Sequence, residues 1–160
     1  MEDVLDLYAE PYRSDYPVVC FDEVPYQLVS EVRKPLPAQP GKPIRYDYEY
    51  RREGTCNLFI FLEPLAGRRH VKVTARRLVK ILEFHYTPKH SSWLNMAEVE
   101  ISVLSGQCLD RRIGNRGRLE SEISAWQTER NERKASIDWR FTIPSARDKL
   151  KRLYPVPERP

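Results

Sequence analysis

The alternation of apolar and polar residues predicts that the strands come early in the chain. Strands are expected at Val18 to Val24 and at Thr55 to Leu62, which are apolar runs too short for typical helices. Alternating residues predict a third strand at His70 to Thr74 and a fourth at Leu82 to Tyr86. Turns that carry Gly and Pro join the first strands, a pattern that favours an antiparallel meander.

Apolar residues at helical spacing predict helices at both ends of the chain. A short amphipathic helix is expected over residues 2 to 9, and longer ones from Met96 to about Asp110 and from Arg118 to Lys134. Pro144 is expected to open a last helix that runs through Leu153. A sheet followed by helices is typical of a mixed α/β or α+β domain.

Composition narrows the class of protein. The chain has 160 residues, of which 41% are apolar and 31% charged, as in one ordinary globular domain. No apolar run is long enough to span a membrane, and the acidic N-terminus does not resemble a secretory signal. The three cysteines are far apart, so they are expected to be buried free thiols in a reducing cytoplasm.

Positive charge is concentrated in three clusters, although the formal net charge is only +4. The clusters comprise Arg68, Arg69, Lys72, Arg76, Arg77 and Lys80; Arg111, Arg112, Arg116 and Arg118; and Arg147, Lys149, Lys151 and Arg152. They could follow a phosphate backbone. Solvated helix faces and charged turns are the alternative interpretation.

Two carboxylates are the candidates for chemistry. Asp22 lies in an apolar strand, where a charge is costly unless it is paired or binds a metal. Glu98 falls three residues after Asn95, a good helix N-cap, so it can complete a capping box, with Leu94 and Val99 as a hydrophobic staple. The alternative is that Glu98 is a metal ligand, since the positive end of the helix dipole favours its ionised form.

Other common catalytic signals are missing from the sequence. His70, His85 and His90 do not form a metal-binding pair on one helix, and neither a Gly-rich phosphate loop nor a nucleophile elbow is present. Carboxylates that converge from separate elements suit Mg²⁺, which takes oxygen ligands and keeps several waters. Two such ions can activate an attacking oxygen and stabilise a leaving one at a phosphodiester.

Several segments carry a family resemblance. They are FDE at 21–23, RYDYEYRREGTCNLFIFLEPLAGRRHV at 45–71, FHYTPKHSSWLNMAEVE at 84–100, and the C-terminal SVLSGQCLDRRI and DWRFTIPSARDKLKRLYP. The chain thereby resembles bacterial insertion-sequence transposases of the DDE superfamily, on the mariner-related branch. The resemblance implies a ribonuclease-H-like α/β fold, a mixed sheet flanked by helices. It also implies cutting and joining of DNA ends with two Asp, one further acid and Mg²⁺ or Mn²⁺.

The resemblance places the first catalytic and metal-binding acid at Asp22 and the third at Glu98. Glu23 and Glu100 are the near competitors. Strand alternation sends Asp22 and Glu23 to opposite faces, and helix spacing separates Glu98 from Glu100 by about 200°. Only one member of each pair can therefore enter the site, and the family motif selects Asp22 and Glu98.

The sequence departs from the family in its interior. The family's second Asp follows a helix and ends a strand, but here Thr74 and Leu82 are joined only by Ala75 to Ile81, which contains no acid. The fold is therefore expected to be incomplete, with a helix–strand segment deleted near Ala75. The chain is also expected to lack the family's helix-turn-helix domain. The expected division is a linker helix and connection at 1–16, a truncated catalytic domain at 17–154 and a frayed tail at 155–160.

The resemblance implies metal-dependent DNA cleavage and strand transfer, and loss of the middle acid predicts that this activity is impaired. The alternatives are a non-catalytic fragment that binds DNA or an intact transposase, and a non-functional remnant. Candidate DNA contacts are Lys89, His90, Arg111 and Arg112. The expected partners are DNA, through transposon ends, and intact transposase. The expected location is the cytoplasm, at the nucleoid when DNA is bound.

Overall fold

The computed structural model describes residues 1–75 and 94–153, which form a small sheet and a set of helices. In chain order the elements are α1 (Glu2–Ala9), β1 (Cys20–Glu31), β2 (Tyr50–Glu63), β3 (Arg68–Thr74), α2 (Met96–Leu104), α3 (Arg116–Glu132) and α4 (Ile143–Lys149). A π-helical turn at Ser105–Leu109 extends α2, and a 3₁₀ turn at Lys151–Leu153 follows α4.

The three described strands form an antiparallel sheet in the order β1-β2-β3, so the predicted meander is confirmed. Asp22 pairs with Ile60, which in turn pairs with Val71, and these three residues share one face of the sheet. β1 is longer than the predicted strand because it continues through Pro25 to Glu31. A proline is tolerated here since β1 is an outer strand of the described sheet.

Helices α2 and α3 cover the face of the sheet to which Asp22 belongs. α2 lies over β1 and β2, and α3 lies over β3. Leu58 and Ile60 of β2 are fully buried there, together with Leu119 and Ile123 of α3. This packing joins the strands to the helices and fixes where α2 begins relative to the start of β1.

The opposite face of the sheet carries aromatic residues. Phe21 stacks on Phe59 with ring centroids 6.0 Å apart, and it lies 4.9 Å from Phe61. Phe59 is 1% exposed. Alternation along β1 therefore places Asp22 on the helix face and Phe21 on the aromatic face.

Helix α1 packs against the C-terminal part of the chain. Leu5 forms a cluster with Leu94 and Ala146, and Glu2 accepts hydrogen bonds from Arg147 at 2.7 and 2.8 Å. The predicted staple between Leu94 and Val99 is wrong, because Leu94 is buried in this cluster whereas Val99 is 42% exposed.

Several other expectations are answered by the described residues. Cys20, Cys56 and Cys108 are buried free thiols, as predicted. No helix in the described ranges is long and apolar enough to cross a membrane.

The mixed α/β class is confirmed and is consistent with a partial ribonuclease-H-like fold. The described strands pair only antiparallel, so a sheet of mixed direction stays a prediction. The predicted strand at Leu82–Tyr86, the acid-free connection at 76–81 and the tail at 155–160 lie outside the described residues.

Candidate metal centre

Asp22 lies near the start of β1, half-buried, on the face of the sheet that meets α2. Its Oδ1 accepts a hydrogen bond from the backbone N–H of Glu23 at 2.8 Å. Its Oδ2 lies 3.3 Å from Nδ2 of Asn95. The carboxyl is therefore held by one donor from its own strand and one from the start of a helix.

Asn95 is the N-cap of α2, as the sequence predicted. Its Oδ1 accepts from the backbone N–H of Ala97 at 3.1 Å, which satisfies one of the free donors of the first turn. Its Nδ2 donates to the carbonyl oxygen of Phe21 at 2.9 Å as well as to Asp22. A single side chain thus connects the start of α2 to the start of β1.

Glu98 stands in the first turn of α2, half-buried, and lines the same cleft as Asp22. Burial, and secondly the nearby Asp22 carboxyl, raise the pKa of Glu98 above its ordinary value. Burial and the like charge of Asp22 thus shift the pKa of Glu98 in the direction opposite to that expected from the helix terminus. Without a cation, two neighbouring carboxylates repel each other when both are ionised.

The donor set fits one hard divalent cation. Mg²⁺ is commonly held by one or two carboxylates together with waters and substrate phosphates, and Asp22 and Glu98 supply two. Within residues 1–75 and 94–153, His, Cys, Asp and Glu do not gather in any group of three that could hold a metal. The described residues therefore fit a two-carboxylate site and provide no third acid for it.

The two competing acids lie elsewhere. Glu23 pairs with Phe59 across the sheet and so belongs to the aromatic face, as alternation predicted. Glu100 is fully buried between β3 and α3, where its Oε1 lies 2.8 Å from Nε of Arg69 and 2.8 Å from Nε of Arg130. Glu100 is therefore a structural ion-pair partner.

Arg69 is buried, with only 4% of its surface exposed, although the sequence placed it in a basic cluster that could contact DNA. That expectation is wrong for Arg69, because the alternation it shares with Val71 and Val73 points it at the helices. Its guanidinium donates to Asn131 at 3.3 Å and to the carbonyl of Ala135. Burial lowers the pKa of Arg69, and the Glu100 carboxylate opposes that shift.

A cleft of about 1190 Å³ is lined by Asp22, near the start of β1, and by Glu98, in the first turn of α2. The segment between α1 and β1 forms one wall, with Tyr12 43% exposed and Tyr16 74% exposed. The Arg13 guanidinium lies 6.0 Å from the centre of the Tyr16 ring. Arg68 donates to the Tyr12 hydroxyl at 3.0 Å and forms an ion pair with Glu63 at 2.9 Å, and Arg13 forms one with Asp15 at 3.4 Å.

The candidate DNA contacts that can be described are engaged within the protein. Arg111 forms an ion pair with Glu122 at 2.7 Å, and Arg112 forms one with Glu31 at 2.5 Å. Arg112 also donates to the carbonyl oxygens of Asp47 and Glu49, at 2.7 and 2.9 Å. Lys89 and His90 lie outside the described residues. A role of these four residues in DNA binding stays a prediction.

The remaining arginines of the second cluster are also paired. Arg116 meets Glu120 at 2.8 Å and Arg118 meets Glu122 at 3.6 Å, in both cases one helical turn away. Such exposed pairs are worth little in stability, but they reduce the positive field that DNA would meet.

Residues 68–120 match the family model described as DDE superfamily endonuclease. The matched segment begins at β3, includes Asn95, Glu98 and Glu100, and ends in α3; Asp22 lies before it. The match supports a DDE-type nuclease domain of the transposase kind, a family that acts on DNA with divalent metal. Comparison with curated proteins and with solved structures gives no match.

Proposed function

We propose that this chain is a DDE-type transposase domain of the mariner-related insertion-sequence branch, in which Asp22 and Glu98 hold a divalent cation. One observation carries the proposal. Glu98, inside the segment matched to the endonuclease family, lines the same cleft as Asp22, which comes from a separate element. Acids that converge in this way are the ligands that phosphodiester chemistry with Mg²⁺ requires.

The protein contributes to the site the positions and the negative charges of two carboxylates. Asp22 and Glu98 would hold the cation from the strand side and the helix side. When bound, Mg²⁺ or Mn²⁺ would polarise a phosphoryl oxygen and favour deprotonation of an attacking water or hydroxyl. Asn95 orients the Asp22 carboxyl through its hydrogen bond.

The cleft beside the two acids is the proposed binding site of the DNA strand. Exposed rings of Tyr12 and Tyr16 can stack on bases of any sequence, and Arg13 and Arg68 stand beside them. Transposon ends are the proposed substrate, and an intact transposase is the proposed oligomer partner. The proposed location is the cytoplasm, at the nucleoid when DNA is bound.

Cleavage and strand transfer are proposed to be impaired. The family's middle acid has no counterpart in Ala75 to Ile81, and the described residues bring no third His, Cys, Asp or Glu to Asp22 and Glu98. Fewer ligand charges lower the affinity for a divalent cation. We therefore propose an internal deletion of the helix–strand segment near Ala75. The division into 1–16, 17–154 and 155–160 is part of the same proposal.

A second candidate function is a non-catalytic module that binds DNA or an intact transposase. The observation in its favour is that the two-carboxylate set gains no third acid from the described part of the chain. Under this alternative, DNA binding would rest on basic and aromatic side chains and would be the same in Mg²⁺ and in a chelator.

The test is a combined DNA-binding and cleavage assay on the purified chain, with plasmid and with duplexes from the DNA that flanks the gene. We expect binding that is stronger in Mg²⁺ than in EDTA, that weakens steeply with salt, and that loses its Mg²⁺ dependence in Asp22→Ala. Cleavage in Mg²⁺ is expected to stay at the level of Asp22→Ala.

The outcomes separate the candidates. Binding that is equal in Mg²⁺ and EDTA would favour the non-catalytic module. Mg²⁺-dependent cleavage that disappears in Asp22→Ala would contradict the impairment and indicate a working enzyme. Absence of DNA binding even at low salt would contradict the first candidate function and leave, of the second, only binding to an intact transposase.

A further inference from the structure

We propose that Asn95 is the positioning residue of the candidate metal centre. Its side chain keeps the Asp22 and Glu98 carboxyls in the relative position that one cation requires. The inference rests on the proposed function, because it assigns a role within the same site. Asn95 would not touch the cation. It acts through the hydrogen bonds that tie the strand bearing Asp22 to the helix bearing Glu98.

Backbone partners fix the orientation of the Asn95 side-chain amide. The oxygen must face the N–H of Ala97, a donor, at 3.1 Å, so the nitrogen must face the carbonyl oxygen of Phe21, an acceptor, at 2.9 Å. The second hydrogen on that nitrogen is then available to Asp22 Oδ2, at 3.3 Å. The amide oxygen and both amide hydrogens of Asn95 therefore each have a hydrogen-bond partner. Two of these partners belong to β1 and one to α2.

The two carboxyls require such a tie. Both residues line the same cleft, Asp22 from the start of β1 and Glu98 from the first turn of α2, and two like charges at one site repel each other. The Asn95 side chain opposes the separation of the two carboxyls because it is bonded to both elements. It caps α2 three residues before Glu98, and it donates a hydrogen bond to the carboxyl of Asp22. Residues that orient metal ligands in this way typically change metal affinity by about 10–100-fold when they are replaced.

The capping role and the positioning role can be separated by mutation. Ser is as good an N-cap as Asn, so Asn95→Ser keeps an acceptor for the helix but loses the amide donor to β1. Asn115 offers a matched control, because it caps α3 with Oδ1 at 2.8 Å from the N–H of Arg118 and lies at a different helix start. Asn115→Ser therefore measures the effect of the cap exchange alone.

The experiment is a titration of the purified full chain with Mn²⁺, followed by electron paramagnetic resonance, for the wild type, Asn95→Ser and Asn115→Ser. We expect Asn95→Ser to weaken Mn²⁺ binding about tenfold and Asn115→Ser to leave it unchanged. Thermal unfolding without metal is expected to show a larger loss in Asn95→Ser than in Asn115→Ser, because the Phe21 carbonyl and the Asp22 carboxyl lose a donor. Equal Mn²⁺ affinity in wild type and Asn95→Ser would overturn the inference and leave the metal site of the proposed function intact.

A second readout needs no metal. Both side-chain amide hydrogens of Asn95 are expected to exchange slowly with solvent by nuclear magnetic resonance, and Asp22→Ala is expected to release one of them. If the wild type binds no Mn²⁺, the metal site of the proposed function is contradicted, and the exchange result decides the positioning role separately. Fast exchange of both hydrogens in the wild type would overturn the inference.

Discussion

Replacing Glu100 by alanine is expected to lower the free energy of unfolding by about 3–5 kcal/mol, the usual effect of breaking a buried ion pair from one side. Glu100 is fully buried and lies between Arg69 and Arg130. The Arg69 side chain is 0% exposed, so the variant would leave a guanidinium charge without its carboxylate in a low-dielectric interior. Denaturant unfolding, followed by circular dichroism, measures the loss.

Glu98→Ala is the matched control, because it removes the same side chain from the same helix two residues earlier. Glu98 lies near the Asp22 carboxyl, and the folded state binds its proton more tightly than the unfolded chain. Its charge therefore lowers stability as the pH rises above the ordinary pKa of a glutamate. We expect Glu98→Ala to change the free energy of unfolding by less than about 1 kcal/mol at neutral pH. A larger loss in Glu98→Ala than in Glu100→Ala would contradict the assignment of the two acids.

Gly67→Ala is expected to destabilise the fold by about 3 kcal/mol, from overpacking and from an unfavourable backbone conformation. Gly67 ends the turn between β2 and β3 with φ of +64°. A Cβ there would overlap the backbone carbonyl of Lys134, just after the C-terminus of α3. Because the obstacle is backbone, β3 or the end of α3 must shift, and Arg69 with it. The midpoint of thermal unfolding reports this change.

Gly41→Ala measures the cost of the positive φ alone, without steric overlap. Gly41 has φ of +75°, similar to that of Gly67, but a Cβ at this position meets no atom within 4 Å. We expect a loss of about 1 kcal/mol there. Equal effects of the two substitutions would show that Gly67 is needed only for its backbone angle and would contradict the close approach to Lys134.

Local patterns predicted most of the described fold. The meander, α1 and the starts of α2 and α4 follow from periodicity, proline positions and an N-cap residue, which act over a few neighbours, whereas α3 begins two residues before the predicted Arg118. β1 continues past the predicted end at Val24 and through Pro25 to Glu31, although a proline normally interrupts a strand. Pro25 is tolerated because β1 is an outer strand of the described sheet. The position of a strand in its sheet depends on tertiary structure and cannot be predicted from a few neighbouring residues.

The candidate site was only partly predictable for the same reason. The motif around Asn95 and Glu98 marks a helix start by itself, but the pairing with Asp22 links positions more than 70 residues apart. The ion pairs of Glu100 with Arg69 and Arg130 join positions about 30 residues apart, so the ion-pair partner of Arg69 does not follow from its sequence neighbours. Alternation with Val71 and Val73 was the available signal that Arg69 faces inward.

The central claim is that Asp22 and Glu98 together hold a divalent cation in a DDE-type domain. The most direct measurement is Mn²⁺ binding by electron paramagnetic resonance to the wild type, Asp22→Asn and Glu98→Gln. Asp138→Asn, at an exposed acid that does not line the cleft, is the matched control. We predict one bound Mn²⁺ per chain in the wild type and in Asp138→Asn, and its loss in both site variants. Binding that is unchanged in Asp22→Asn and Glu98→Gln, or absent from the wild type, would contradict the claim.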